Sequence, residues 1–376
     1  MKIGIYDTEH FETTYALIRI SDVPENSITL FLTAPVASIL KEMLGKDAER
    51  YTWILKKGGS ITYLIKIFQV CIKDKLDILF LNTVSYHHLL VAFLCFFLKK
   101  TKTILTVHDA NSFFHPKFSF HFRKSIRSAG IKMLTWVVPA YTTLLSTTKT
   151  LIKEKYGIKK PVYCIPGGIF EKNATNTKEQ NIDILKIVIP GSIDKNRRDY
   201  DQLFQLIKEL EPNKKRIQMV LLGTTIGDYG KEVIEKCKRN SSENINIVFY
   251  ETKFIEQNEF DKQMNDSHFV LIPLVKVTLG ENGRLEEYGV TKAAGGFFDA
   301  IRFGKPMLIP DYITIPEELK KQVISYTSIH MLSQFIYNIS AGSIYYNDIL
   351  DKSIQNSMPF EENAVRTSLR NVKLLK

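Results

Sequence analysis

Cysteine, tryptophan and acid are all scarce in this chain. Its 376 residues hold 4 Cys (Cys71, Cys95, Cys164 and Cys237), none of them at a metal-ligand or CxxC spacing. That excludes a zinc ribbon or a dithiol redox motif and reads as free thiols in a reducing compartment. No metal motif and no RNA- or DNA-binding signature is present, so no metal and no nucleic acid are expected. Carboxylates are outnumbered, with 40 Asp and Glu against 51 Lys and Arg, for a formal charge of +11. Such an excess asks for an anionic partner, either a phosphate-bearing ligand or an anionic membrane face. Hydrophobic runs are short. Leu89–Leu98 is the most lipid-like stretch, well under the roughly 20 residues that span a bilayer, and is expected to be a buried helix. The N-terminal MKIGIYDTEHF lacks the basic start, apolar stretch and cleavage site of a signal peptide, so a cytoplasmic protein is expected.

The apolar fraction, 44%, allows a sizeable core, and the length allows two domains. Strand-like and helix-like runs alternate. Strands are expected at Lys2–Tyr6, Ser27–Thr33, Tyr51–Leu55, Asp77–Leu81, Thr103–His108, Tyr141–Ser146 and Val162–Ile165. Apolar-periodic helices are expected between them at Pro35–Leu44, Ile61–Ile72, His87–Leu98, Ser119–Val138 and Lys149–Tyr156. The polar stretch 171–184 reads as a linker. A second series follows, with strands at Lys186–Pro190, Gln218–Leu222, Asn246–Phe249, Phe269–Pro273, Pro306–Ile309 and Val323–Tyr326. The alternation predicts an α/β protein with two parallel sheets: a first domain over 1–170, a second over 185–355, and a closing helical segment over 356–376 that crosses back to the first.

Ligands of such sheets sit beyond the carboxyl ends of the strands. In the first half those loops hold Asp7, Thr8, Glu9 and His10, then His108 and Asp109, then Pro166-Gly167-Gly168. His108 is either a turn histidine or, paired with Asp109, a group that binds a hydroxyl or phosphate. In the second half, Gly191-Ser192 is followed by Lys195, Arg197 and Arg198. Gly223-Thr224 ends the next strand, and Tyr250, Glu251 and Phe254 follow the third. Glycine and then cations after a strand suit a diphosphate.

The stretch Leu285–Pro310 is the centre of the pattern. Thr291–Phe303 reads as a helix with Thr291 as N-cap, small residues in its first turns and Lys292 adding positive charge, a start suited to phosphate. Gly304 ends it before the strand at Met307–Ile309. Residues 113–136 interleave Phe113, Phe114, Phe118, Phe120, Phe122 and Trp136 with Lys117, Arg123, Lys124, Arg127 and Lys132. Such a segment either lies on an anionic membrane or turns its aromatics to the core.

These residues resemble a GT-B glycosyltransferase, similar to family 4 of the retaining nucleotide-sugar transferases. ILTVHD resembles the strand-then-His motif of the first domain. LLSTTKTLIKEKYGIKKPVYCIPGGI resembles the stretch closing it. IPGSIDKNRRDYDQLFQLIKEL resembles the phosphate loop and its helix, LLGTT the next Gly turn, and FFDAIRFGKPMLIP the E-A-M-A-x-G-x-P-V-I signature. The resemblance covers most of the chain in order. It implies two Rossmann-like domains facing across a cleft and transfer of a sugar from a UDP- or GDP-sugar to a glycan or lipid-linked acceptor, with no bound cofactor. It places Gly191 and Arg197 on the donor diphosphate and the loop of Tyr250, Glu251 and Phe254, with Asp299, around the nucleoside, next to the Gly turn at Gly223 and Thr224; the local reading of the loops and helix start adds Ser192, Thr291 and Lys292 to the diphosphate. The resemblance places His108 where the family's histidine faces the transferred sugar and the acceptor; the local chemistry of the strand-end loops adds Asp7, Glu9, His10 and Asp109 as acceptor contacts, although Asp7-Thr8-Glu9-His10 stands where the family has a Gly-Gly loop, and His108, Arg197 and Lys292 are the expected catalytic groups. Departures stand beside it: Ser192 replaces an Arg, and Thr291 falls where the first Glu of E-x7-E belongs, unless an insertion lets Glu286 or Glu287 serve. An inverting transferase with Asp7 or Glu9 as base, a sugar-nucleotide epimerase and an accessory subunit are the alternatives.

Overall fold

The computed structural model describes residues 1–117, 121–172, 182–213, 216–252, 254–280 and 282–375. Residues 173–181 of the expected linker, and Phe118 and Phe120 of the aromatic segment, lie outside them. The chain folds into two compact units. The first comprises Met1–Ile169, Leu279–Ala293 and Glu362–Lys376, and the second comprises Phe170–Thr278 and Ala294–Glu361. The sequence pattern assigns residues 279–293 to the second domain; they pack with the first instead.

In the first unit β1 (Lys2–Asp7), β2 (Ser27–Leu32), β3 (Thr52–Leu55), β4 (Ile78–Leu81), β5 (Lys102–Val107), β6 (Ala140–Thr143) and β7 (Val162–Cys164) form a parallel sheet in the order β3-β2-β1-β4-β5-β6-β7. Strands such as ILFL of β4 are apolar without alternation because both faces of the sheet are covered. The Phe11–Ser21 and Ala34–Leu44 helices pack on one face, together with Val365 and Leu369 of the closing Glu362–Asn371 helix. Ser60–Lys73, His88–Phe97 and Phe122–Val137 cover the other. Gly130 lets the last two helices touch, since a Cβ there would strike the backbone of His88 and Leu89. The Phe11–Ser21 helix was not foreseen, and neither was the one-turn helix Ala110–Phe114.

The second unit carries β8 (Leu185–Pro190), β9 (Ile217–Leu222), β10 (Ile245–Phe249) and β11 (Phe269–Leu271). Next along the chain come β12 (Val277–Leu279) and β13 (Leu285–Glu287), of which β13 belongs to the first unit, and the second unit resumes with β14 (Met307–Pro310) and β15 (Val323–Tyr326). Its sheet runs β10-β9-β8-β11-β14-β15, all parallel. Both sheets reverse strand order beside their first strand, between β1 and β4 and between β8 and β11. Those switch points are where a doubly wound sheet opens a crevice for ligand.

Candidate functional site

At the first switch point the carboxyl ends of β1, β4 and β5 meet in one polar cluster. Asp7 closes β1 with its side chain fully buried. Its Oδ1 accepts from the Glu9 and His10 amides at 2.6 and 2.8 Å, and its Oδ2 from Thr14 Oγ1 at 2.9 Å, Thr83 Oγ1 at 3.1 Å and Asn82 Nδ2. Burial pushes the Asp7 pKa up, against the pull of those donors. Every lone pair is committed, so Asp7 is a turn-building carboxylate, which speaks against its expected acceptor contact and against its use as base in the inverting alternative. Glu9 is exposed.

His10 and His108 stack with ring centroids 4.5 Å apart and 14° between planes. His10 Nδ1 meets Thr83 Oγ1 at 2.9 Å, and His108 Nε2 meets the Asn82 carbonyl at 2.8 Å. A carbonyl only accepts, so Nε2 carries the His108 proton and Nδ1 keeps a lone pair. Burial, with His10 beside it, lowers the His108 pKa to about 4, which keeps the imidazole neutral near pH 7. Asn82 and Thr83, which organise the cluster, were missed. The signal was present, because they are the polar residues directly after the apolar β4 run.

Asp109 and Lys292 do not reach a ligand independently. The Lys292 ammonium is bonded to the Asp109 carboxylate, which is 8% exposed. The surrounding turn is anchored within the same unit. The Thr291 carbonyl accepts from the Ala110 amide at 2.9 Å, and the Gly289 and Val290 carbonyls accept from Thr147 and Thr148 Oγ1 at 2.6 and 2.8 Å. Glu286, fully buried, takes the Asn111 and Ser112 amides and Ser112 Oγ at 3.2, 2.7 and 2.8 Å, capping the Ala110–Phe114 helix. Burial raises its pKa. The expected N-cap role of Thr291 is therefore corrected: its Oγ1 accepts from the Glu287 amide at 2.7 Å, and the helix begins only at Gly295. With the helix starting there, Lys292 no longer stands in its first turn.

At the second switch point Gly191, with φ +91, follows β8. The space beside its Cα holds the Arg198 guanidinium, which donates to the Pro190 and Ser192 carbonyls at 2.6 and 2.7 Å. Arg198 is buried, whereas Arg197 is 56% exposed and leans on Asp194 at 3.4 Å. Gly223 is needed because a Cβ there would collide with the Gly191 carbonyl, and the Thr224 carbonyl takes the Ile193 amide at 2.8 Å. These glycines thus accommodate the chain itself rather than only a ligand's approach.

The Gly295–Arg302 helix starts against this loop, with Gly296 over Ile272 just past β11 and open space beside Gly295. The Phe297 amide donates to the Ala294 carbonyl at 3.1 Å, while the Gly295 and Gly296 amides precede any intrahelical acceptor. Asp299 lies one turn in. Burial lifts its pKa to about 7 against the opposing pull of Arg302 and Arg198. Tyr250 and Glu251 are engaged elsewhere in the unit, with Glu259 Oε1 at 2.6 Å and Lys238 Nζ at 2.9 Å, while Phe254 is exposed. Among the described residues no group of three His, Cys, Asp or Glu is placed to hold a metal ion.

No family model matches the chain, and no curated protein matches it by sequence. Solved structures do match along its whole length. Sucrose-phosphate synthase from Thermosynechococcus elongatus is 9% identical with a TM-score of 0.64, over 99% of this chain and 98% of that one. UDP-GlcNAc 2-epimerase from Neisseria meningitidis, bound to UDP-GlcNAc, is 12% identical at 0.54 over 100% of both chains. The lipopolysaccharide outer core galactosyltransferase WaaB is 12% identical at 0.54 over 99% of both. At these identities the likeness is one of fold, and the fold of this chain is GT-B.

Proposed function

We propose that the protein is a glycosyltransferase that moves a sugar from a nucleoside diphosphate sugar, UDP- or GDP-linked, to a hydroxyl of a glycan or lipid-linked glycan. The observation that carries this reading is the second switch point, where the Gly191 loop, the open helix start at Gly295-Gly296 and Asp299 meet. Two first-turn amides and the positive end of a helix suit a diphosphate. Asp299, one turn further, suits a ribose hydroxyl, and exposed Arg197 supplies a cation. As the glycosidic bond breaks, negative charge grows on the leaving diphosphate while the sugar approaches an oxocarbenium ion. Fixed donors aimed at that charge lower the barrier, each by about 3 kcal/mol in a buried site. In the first unit the lone pair on His108 Nδ1 serves as acceptor for a hydroxyl of acceptor or sugar. Retention of anomeric configuration follows from the resemblance to family 4, and a role in surface polysaccharide assembly from the basic aromatic segment over 113–136 and the net charge of +11; both belong to this proposal.

A second reading is epimerisation of a sugar nucleotide. It is favoured by the full-length likeness to a UDP-GlcNAc 2-epimerase. The two readings part on one test. Thermal shift with UDP, GDP, ADP, CMP and dTDP identifies the base, since saturation at about 100 times Kd raises stability by about 2.7 kcal/mol. The sugar nucleotides of that base are then incubated with and without extracted lipid-linked acceptor. Release of nucleoside diphosphate with acceptor supports transfer, and interconversion of the donor without acceptor supports epimerisation. Binding of none of the five nucleotides leaves a non-catalytic accessory subunit.

A further inference from the structure

Three neighbouring helices on one face of the first sheet each carry a second apolar stripe that points away from the core. On Ser60–Lys73 it is Ile61, Ile65 and Ile72. On His88–Phe97 it is Phe93, Phe96 and Phe97, of which Phe97 is 61% exposed. On Phe122–Val137 it is Phe122, Ile126 and Trp136, with Phe122 78% and Trp136 72% exposed. The spacing in each is helical: i and i+4 with i+11, i with i+3 and i+4, and i and i+4 with i+14. The buried helix expected at Leu89–Leu98 is therefore apolar on both sides, its inner side filled by Val91, Ala92 and Cys95.

Charge on this layer has one sign. The three helices contain Lys66, Lys73, Arg123, Lys124, Arg127 and Lys132 and not one Asp or Glu. The helices on the opposite face mix signs, with Glu12 and Arg19, Lys41 and Glu42, and Glu362 and Arg366. Beside this layer a groove of about 610 Å³ opens at the amino ends of β4, β5 and β6, lined by Phe96 and Trp136, by Lys99, Lys100 and Lys102, and by a single acid, Asp77, whose carboxylate accepts from the Lys2 amide at 2.7 Å. It lies at the other end of the strands from the Asp7–His108 cluster.

We infer that this helical face docks on the surface of an anionic lipid bilayer. Exposed aromatics and aliphatics in such number have no ordinary role on a soluble face. An apolar layer whose helices carry only cations, with Asp77 as the groove's one acid against Lys99, Lys100 and Lys102, matches acyl chains beneath phosphate headgroups, with Trp136 at the boundary and Lys99 and Lys100 on the phosphates. Acid-free helices also disfavour a second copy of the same face, because the six helix cations of each copy would oppose one another. Membrane docking stands independently of the transferase reading, since its test reads binding and not activity.

The test is co-sedimentation of the full chain with vesicles of phosphatidylcholine alone and of phosphatidylcholine with about 30% phosphatidylglycerol. The protein is expected to pellet with the anionic vesicles at low salt and to be released at about 0.5 M salt. Lys99→Glu with Lys100→Glu, and separately Phe97→Ser with Trp136→Ser, are each expected to weaken partitioning about tenfold or more. All four positions are exposed, and an unchanged thermal midpoint verifies that the variants fold. In a Trp53→Phe background, Trp136 is the only tryptophan and its emission is expected to shift to the blue on anionic vesicles. The inference is overturned if the wild type stays in the supernatant at low salt, if both variants bind as it does, or if Trp136 emission does not move. Dimerisation abolished by the Phe97/Trp136 variant, without vesicle binding, overturns it in favour of a self-interface.

Discussion

Arg198 occupies the space that a side chain on Gly191 would need. Its guanidinium spans the Pro190 and Ser192 carbonyls on either side of that glycine, which itself has φ +91. Gly191→Ala must push the guanidinium off both carbonyls and hold an L-residue in left-handed backbone, at about 2–4 kcal/mol. Arg198→Ala leaves the two carbonyls without their charged donor and is expected to lose about 2–4 kcal/mol as well. Because one clash underlies both, the double variant should lose clearly less than the sum. Urea denaturation of the four proteins measures it, and strict additivity would show that the two residues do not share this space.

Asp299 makes stability fall as the solution becomes more alkaline. Its folded pKa of about 7 stands above an unfolded value near 4, so the folded state holds the proton more tightly. That contribution is complete below pH 4 and is lost as pH rises through 7. Asp299→Asn cannot ionise. It should match wild type near pH 4 and exceed it by about 1–3 kcal/mol at pH 8. Melting curves across that range decide it. A wild type that gains stability from pH 5 to pH 8 relative to the variant has the opposite sign.

Both sheets were legible because buried parallel strands are written as unbroken apolar runs, such as IVIP in β8 and MLIP in β14. The Phe11–Ser21 helix was not, because it opens with Glu12, Thr13 and Thr14, and the two threonines are buried for polar reasons: both bond to the Asn82 side chain, and Thr14 also to Asp7. The helix start at residue 291 was misread for a similar cause. Thr291 is a good N-cap type, but its hydroxyl is taken by Glu287 four residues back in a tight turn. Lys292 and Arg198 were beyond local pattern altogether. One is claimed by Asp109, 183 positions away, and the other is separated from its exposed neighbour Arg197 only by three-dimensional burial. Sequence placed the loops of the site at the right strand ends. Which side chains in them are spent on the chain's own polar groups is decided by tertiary contacts that no spacing encodes.

His108 stays neutral over the physiological range. Burial and the adjacent His10 lower its pKa to about 4 from an ordinary value near 6.5. A base with a depressed folded pKa contributes stability that is present above 6.5 and lost as pH falls through 4. Nitrogen-15 chemical shifts of the ring should show Nε2 protonated and Nδ1 bare from pH 8 to about 5. Titration with a midpoint above 6 would remove the neutral acceptor that the proposed chemistry places there.

Lys292 and Asp109 form a pair that should be tighter than a surface ion pair. The Lys292 side chain is 21% exposed and the Asp109 side chain 8%. Lys292→Met leaves a buried carboxylate without its cation, and the expected loss is about 3 kcal/mol, well beyond the 0–1 kcal/mol of exposed pairs. Asp109→Asn strands the ammonium instead, which has some access to water and so is expected to lose less. Removing both charges together should recover much of the Lys292→Met loss, because desolvation of the pair disappears with its attraction. The turn around residue 291 also hangs on backbone bonds to Ala110, Thr147 and Thr148 that neither change touches, so the fold should persist in all three variants. Stabilities from urea denaturation complete the cycle. A double variant that loses the sum of the two single losses would mean that the charges contribute independently and that the pair does not hold the turn.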